Sequence, residues 1–171
     1  MSTILAADLG EAGCFLVTRN AGSGPEVCSI WPWIGWTLRA EHRQSQIGMM
    51  LRVLCQQWGV DVVAVEKALH LKRNPRIGSS QRWRTKYLRG VMSLGASARA
   101  RDMRWLEVPP QGPTEAYYSW VRLRETCAQE TWYDAAWDKV AEGEHIWDAA
   151  SICRVAEADL RLEKIIVREV R

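Results

Sequence analysis

The feature that most constrains this fold is a run of β-branched residues that ends in an acid. Residues 60–66 read VDVVAVE, and Gly59 stands directly before them. A nearly continuous apolar run of this length is typical of a β-strand that is covered on both faces. The run therefore predicts a central strand with other elements packed on both sides of it and a glutamate at its end.

Other segments of the chain supply the neighbours of this strand. Five runs have the length and composition of strands: 3–8, 14–18, 26–31, 60–66 and 103–108. Three segments space their apolar residues as a helix does: 39–58, 79–98 and 144–162. In the aromatic-rich stretch between, Thr114 and Glu115 are candidate helix-start residues. This order predicts an α/β fold, a mixed five-stranded sheet flanked by helices, in one domain spanning residues 1–171.

Composition agrees with a soluble domain. Of the 171 residues, 47% are hydrophobic and 25% charged, and no stretch reaches the roughly 20 apolar residues that a membrane helix needs. The first residues carry an acid and no basic region, unlike a secretion signal. We therefore expect a cytoplasmic protein without a membrane partner. The odd number of cysteines without a CxxC pair favours buried free thiols over a zinc site: Cys14, Cys28, Cys55, Cys127 and Cys153.

Positive charge is concentrated in one segment. Residues 67–104 contain 11 of the 23 lysines and arginines but one of the 20 acids, Asp102. The rest of the chain is therefore acidic. A basic segment of this kind indicates a polyanionic partner such as nucleic acid. The alternative is a solvated helix surface.

Four residues that can ligate metal lie at the ends of predicted elements. Asp8 ends the first strand, and Glu66 ends the buried strand. His145 and Asp148 stand three residues apart at the start of the last helix, on the border of its apolar face. Carboxylates suit Mg²⁺ and Mn²⁺, and two such ions support phosphodiester hydrolysis. Taken singly, these residues have structural alternatives: a turn aspartate, a solvated strand end, a packed histidine and a helix cap.

The same positions carry a family resemblance. The chain reads ILAADLG at 4–10, VVAVE at 62–66 and HIWDAA at 145–150. Between the last two motifs it reads YLRGVM at 87–92 and VPP at 108–110. In this order, the motifs resemble those of the RuvC family of Holliday-junction resolvases over almost the whole chain. The resemblance implies an RNase H-like fold and a metal-dependent endonuclease, bacterial or encoded by a phage of a bacterial host, with an organellar protein as the alternative.

The resemblance also implies roles for the four candidate residues. Asp8 would bridge two Mg²⁺ ions, for which Mn²⁺ would substitute. Glu66 would bind one of the ions, and Asp148 would complete the site. His145 stands where the family has either Asp or His, and would be a ligand or an aid to water activation. The implied reaction nicks opposing strands of a four-way DNA junction and leaves 5′-phosphate and 3′-hydroxyl ends.

The implied DNA contacts follow Glu66 in the chain. In the family, the loop at this place inserts a wedge at the crossover point, and Leu69 or His70 stands at the corresponding position here. The alternative is a flexible surface loop. The family's homodimer packs through the helix that corresponds to 79–98. The predicted DNA-binding residues are Leu69, His70, Lys72, Arg73, Arg76, Arg82, Arg84 and Lys86.

The sequence departs from the family in two places. Leu9 replaces the proline that follows the first acid. The family's basic residues before the last helix have no clear counterpart, and three residues are open for that role: Arg122, Arg124 and Lys139. We interpret the tryptophans at 31, 33 and 36 as packing residues.

Three other functions compete with junction resolution. The first is a nuclease of the same fold that acts on forks, flaps or RNA–DNA hybrids. The second is a non-catalytic DNA-binding protein, which joint retention of Asp8, Glu66 and Asp148 disfavours. The third is an actin-like phosphotransferase, which needs further glycine-rich phosphate loops and usually a second domain of this kind. Neither feature appears in these 171 residues, which disfavours this function.

Overall fold

The structure is a computed structural model that describes residues 2–9, 13–20, 25–33, 40–67, 94–127 and 143–169. Its strands are β1 (Thr3–Leu9), β2 (Gly13–Asn20), β3 (Pro25–Trp33), β4 (Val62–Glu66) and β5 (Arg104–Val108). Its helices are α1 (Ala40–Trp58), α2 (Pro113–Cys127) and α3 (Gly143–Glu169). Residues 94–99 are also helical. None of the helices in the described ranges is both long and apolar enough to cross a membrane.

The strands form one mixed sheet in the order β3-β2-β1-β4-β5. β1 pairs antiparallel with β2, and β2 pairs antiparallel with β3, as expected for a meander joined by short turns. β4 lies parallel to β1, and β5 lies parallel to β4. The predicted α/β fold with a mixed five-stranded sheet is confirmed, and β4 is its covered strand.

Side-chain alternation along the strands divides the core into two layers. One face of the sheet, including Ala6 and Ala64, packs against α2 and α3. The other face, including Leu5 and Val63, packs with Leu54 of α1 and the helical segment at 94–99. Because successive strand residues point to opposite faces and both faces of β4 are covered, β4 needs apolar residues at its odd-numbered and its even-numbered positions. This requirement explains why the VVAV run has no polar alternation.

Helix α3 lies against the central strands because its apolar stripe is made of small residues. Ala149, Ala150, Cys153 and Ala156 are all buried in the layer that it shares with β1 and β4. They recur at spacings of one, three and three, which keeps them on one side of a helix with 3.6 residues per turn. The predicted last helix is confirmed, and it continues beyond residue 162 to Glu169.

The helix boundaries agree in part with the sequence predictions. Gly59 ends α1 as predicted: its φ is +63° and its amide N donates to Cys55 O at 2.9 Å. Helix α2 forms in the stretch that had only a candidate start at Thr114, and it begins at Pro113, a residue favoured in the first helical turn. Of the predicted helix at 79–98, residues 79–93 lie outside the described ranges.

Leu54→Ala is expected to lower the free energy of unfolding by about 3 kcal/mol. Leu54 is completely buried between α1 and the sheet, so the shorter side chain leaves a cavity and makes fewer apolar contacts. Its neighbour Val53 is 42% exposed, and Val53→Ala is the matched control, with a loss below about 1 kcal/mol. Urea unfolding followed by circular dichroism measures both. Equal losses would show that this face of α1 is not the packed one.

Candidate metal centre

The sheet register places Asp8 and Glu66 side by side. Ala7 of β1 pairs with Val65 of the parallel strand β4, and Asp8 and Glu66 are the next residues in the two strands. Ala6 and Ala64, two residues earlier, face α3. Because side chains alternate with a period of two, Asp8 and Glu66 belong to that same face. Two carboxylates therefore lie at the carboxyl ends of adjacent parallel strands, below the start of α3.

The first turns of α3 bring a histidine onto this edge. His145 Nδ1 lies 2.6 Å from Asp8 Oδ2, and both side chains are partly buried. Because an ionised carboxylate can only accept, the Nδ1–H of His145 is the donor. This hydrogen bond fixes the orientation of both groups. When the ring is neutral, a proton on Nδ1 makes Nε2 the basic nitrogen, the atom that ligates a cation or accepts a proton.

Asp148 completes a compact group of ligand atoms. One donor atom from each of Asp8, His145 and Asp148 lies within 4.8 Å of the other two. This spacing suits a cation that binds oxygen and nitrogen ligands at roughly 2.0–2.6 Å. Two carboxylates and an imidazole fit Mg²⁺ or Mn²⁺ better than a thiophilic metal. The residues present therefore match a hard divalent cation.

Glu66 stands beside this group and not within it. The compact group consists of Asp8, His145 and Asp148, but Glu66 is close enough to respond to its charge. Burial, and then the charges of Asp8 and Asp148, raise the pKa of the Glu66 carboxyl to about 7. Three carboxylates in a half-buried space repel one another, so a cation bound among them would lower the electrostatic energy.

The structure thus brings together Asp8, His145 and Asp148, with Glu66 adjacent. The predicted DNA-binding residues fall outside the described ranges: Leu69, His70, Lys72, Arg73, Arg76, Arg82, Arg84 and Lys86. The sequence interpretation missed an aromatic contact next to the centre, between Tyr117 of α2 and Trp147 of α3. The position of Trp147 between His145 and Asp148 was the available signal.

Comparison with known proteins shows which solved structures have a similar architecture. In sequence, the chain matches no family model and no curated protein. In structure, it is similar to Thermus thermophilus RuvC, with a TM-score of 0.67 and 14% identity over 94% of this chain and 96% of that one. T. thermophilus RuvC in complex with a Holliday junction substrate has a TM-score of 0.62 at 13% identity, covering 88% of this chain and 89% of that one.

A viral protein gives the same result. The fowlpox virus Holliday junction resolvase has a TM-score of 0.62 at 11% identity, covering 92% of this chain and 99% of that one. A mixed five-stranded sheet with helices on both faces defines the class of fold as α/β. Within that class, it is the fold of RuvC and other Holliday junction resolvases. The resemblance drawn from the motifs is confirmed at the level of the fold.

Proposed function

We propose that this protein is a metal-dependent endonuclease that resolves four-way DNA junctions. The observation that carries the proposal is the group formed by Asp8, His145 and Asp148, with Glu66 beside it, at the carboxyl ends of two parallel strands. The fold supports the proposal because it is shared with RuvC, which is seen in complex with a Holliday junction substrate, and with a viral Holliday junction resolvase.

Each residue has a distinct part in the proposed site. Asp8 would be the central ligand for two Mg²⁺ ions, since it contacts His145 and its charge acts on Glu66. Glu66 would bind one of the ions, and Asp148 would complete the site. When bound, such ions supply an activated water and stabilise the leaving 3′ oxygen. His145 orients Asp8 through Nδ1, and its Nε2 would act as a ligand or accept a proton of the attacking water.

The basic segment would hold the DNA. Residues 67–104 contain 11 of the 23 basic residues and directly follow Glu66, so the segment begins next to the metal centre. In this proposal Leu69 or His70 opens the crossover, and the cations between Lys72 and Lys86 bind phosphates. A homodimer through 79–98 would place two centres on opposing strands, and cleavage would leave 5′-phosphate and 3′-hydroxyl ends.

A cleavage assay with four substrates tests the proposed function. A four-way junction, a flap, a plain duplex and an RNA–DNA hybrid of matched sequence are incubated with the protein in Mg²⁺, in Mn²⁺ and in EDTA. We expect ligatable, symmetric nicks in the junction in either metal and none in EDTA. Preferential cleavage of the flap or the hybrid would instead identify the related nuclease activity. No cleavage of any substrate would contradict an enzyme.

Arg73→Ala combined with Arg76→Ala is expected to weaken junction binding and to flatten its salt dependence. Removing one arginine–phosphate interaction lowers the slope of log K against log salt by about 0.9, so removing two lowers it by about 1.8. Fluorescence anisotropy in Ca²⁺ at several salt concentrations measures the slope. Arg52→Ala, at an exposed position of α1, is the control and should leave the slope unchanged. An unchanged slope in the double variant would show that these arginines do not bind the DNA.

The proposed dimer predicts the mass of the protein in solution. Sedimentation equilibrium at micromolar concentration should give twice the 19.5 kDa mass of the chain, because two centres must act on one junction. A single-chain mass, both alone and with a junction bound, would contradict the dimer while leaving the nuclease chemistry to the cleavage assay.

A further inference from the structure

Three aromatic side chains, Tyr117, Tyr118 and Trp147, form an aromatic ridge across α2 and α3. The ring centroids of Tyr117 and Trp147 lie 5.1 Å apart with their planes at 75°, an edge-to-face contact. The centroids of Tyr117 and Tyr118 lie 5.8 Å apart with their planes at 60°. Both distances are within the range of attractive ring contacts. The three rings therefore form one continuous unit.

The aromatic ridge lies level with the candidate metal centre along α3. Trp147 stands between His145 and Asp148 in α3, within one turn of both along the helix axis. Because each residue turns the helix by about 100°, its side chain points away from theirs and packs on Tyr117 of α2. Trp147 is partly buried against the core layer under α3. Tyr117 packs on Trp147, and Tyr118 follows on α2. The ridge therefore runs from an anchored ring, on the side of α3 that faces α2, to a ring at the surface.

The outer rings of the ridge are not needed to close the core. Trp120 of the same helix is only 4% exposed and fills the space between α2 and the sheet, together with Leu123. Tyr117 is 45% exposed and Tyr118 58% exposed. Two adjacent tyrosines that keep about half of their surface in water indicate a binding surface, since folding leaves much of their hydrophobic area exposed.

Charge next to the ridge favours a nucleotide as the ligand. Arg122 is exposed and stands four residues after Tyr118, so the two share one face of α2 about 5–6 Å apart at Cβ. The nearest acid towards the helix start, Glu115, is turned back over Gly112: its Oε2 lies 2.5 Å from the point where a Cβ of residue 112 would be. A flat ring with a cation one turn away is the combination that binds single-stranded nucleic acid.

We propose that the aromatic ridge stacks an unpaired nucleobase of the strand whose phosphate lies at the metal centre. Tyr118 is the stacking ring, Tyr117 and Trp147 hold it in place, and Arg122 contacts the adjacent phosphate. The inference rests on the proposed function, since it assumes that DNA is bound at the centre. A paired base has both faces covered by its neighbours, so the ridge selects DNA with open bases, such as the crossover of a junction.

Binding measurements in Ca²⁺ test the stacking contact. A four-way junction carries 2-aminopurine at the crossover and a dye at one arm end, and a fully paired duplex of the same sequence is the second ligand. Tyr118→Ala should weaken junction binding about tenfold and leave duplex binding unchanged. It should also raise 2-aminopurine emission in the complex, because the base is no longer stacked. Tyr118→Phe keeps the ring and should stay within about twofold of the wild type.

Trp31→Ala is the matched control for removal of an exposed aromatic. Trp31 is 40% exposed and pairs with Phe15 of β2, on the sheet face opposite α2 and α3. It should bind the junction as the wild type does. For Arg122→Ala we expect a salt slope lower by about 0.9.

Each contrary outcome has a separate meaning. Undiminished junction binding by Tyr118→Ala overturns the stacking contact, while wild-type cleavage in Mg²⁺ leaves the nuclease proposal standing. Equal losses of duplex and junction binding in Tyr118→Ala also overturn it, because such a loss does not depend on an unpaired base. So does a loss in Tyr118→Phe equal to that in Tyr118→Ala, because Phe keeps the ring that would stack. A monomeric mass for Tyr118→Ala beside a dimeric wild type would show that the ridge joins two copies of the chain. A wild type that binds no DNA overturns the proposed function, and the stacking contact with it.

Discussion

Asp8→Asn is expected to lower the rate of Mg²⁺-dependent junction cleavage by roughly 10³-fold, a cost of about 4 kcal/mol in transition-state stabilisation. Asn has the shape of Asp and keeps an oxygen that can accept the hydrogen bond from His145 Nδ1. What it loses is a full negative charge in the compact group of ligand atoms that Asp8 forms with His145 and Asp148. Junction binding in Ca²⁺ should stay within about threefold, because phosphate contacts come from the basic segment.

The matched control for this substitution is Asp61→Asn. Asp61 stands at the other end of β4, where its Oδ1 accepts a hydrogen bond from the backbone N of Thr3 at 3.0 Å. The amide oxygen of Asn can accept the same bond, so stability and cleavage should both stay at the wild-type level. Single-turnover cleavage of the junction compares the three proteins. A wild-type rate in Asp8→Asn would show that the metal does not bind where we propose.

Glu66→Gln is expected to make the stability of the metal-free protein depend less on pH. The pKa of Glu66 is raised from 4.5 to about 7 in the folded state by burial and by the charges of Asp8 and Asp148. A raised carboxyl pKa means that the folded state favours the protonated form. Stability from this group is therefore complete below pH 4.5 and is lost as the pH rises through about 7.

The expected size of this loss follows from the exposure of the group. Because Glu66 is only half-buried, solvent screening reduces the cost to about 1–2 kcal/mol between pH 5 and pH 8. In wild type, Mg²⁺ should restore this stability at pH 8, since the ion binds the ionised folded state. Glu66→Gln should show a flatter pH profile in EDTA, a smaller Mg²⁺ effect and a strong loss of cleavage. Thermal unfolding with and without Mg²⁺ at both pH values measures the first two.

The control variant Glu157→Gln distinguishes the effect of burying a carboxyl group from the effect of metal binding on stability. Burial also raises the pKa of Glu157, but this residue lies twelve positions after His145 in α3, about 18 Å along the helix axis. Its replacement should reduce the pH dependence of stability and leave the Mg²⁺ effect intact. If Glu66→Gln and Glu157→Gln respond to Mg²⁺ equally, Glu66 is a buried carboxyl without a part in the metal centre.

Local patterns in the sequence were sufficient for much of the fold. The VVAV run predicted the covered strand, and the small apolar residues from Ala149 to Ala156 predicted the face of α3 that meets it. Such patterns are visible because burial repeats with the period of a strand or a helix over neighbouring residues. The aromatic stretch after Pro110 had no such clear period, and only the packing of Trp120 and Leu123 under α2 defines that helix.

The sequence by itself determined which residues end the strands and begin the last helix, and therefore named Asp8, Glu66, His145 and Asp148 as candidates. Tertiary structure decided how they meet. The contact between His145 Nδ1 and Asp8 Oδ2 joins residues 137 positions apart, and it depends on the parallel register of β1 with β4 and on the position of α3 over the sheet. The same packing leaves Glu66 beside the ligand group and unites Tyr117 with Trp147. No periodic pattern carries such information, because distances across the fold result from the packing of whole elements.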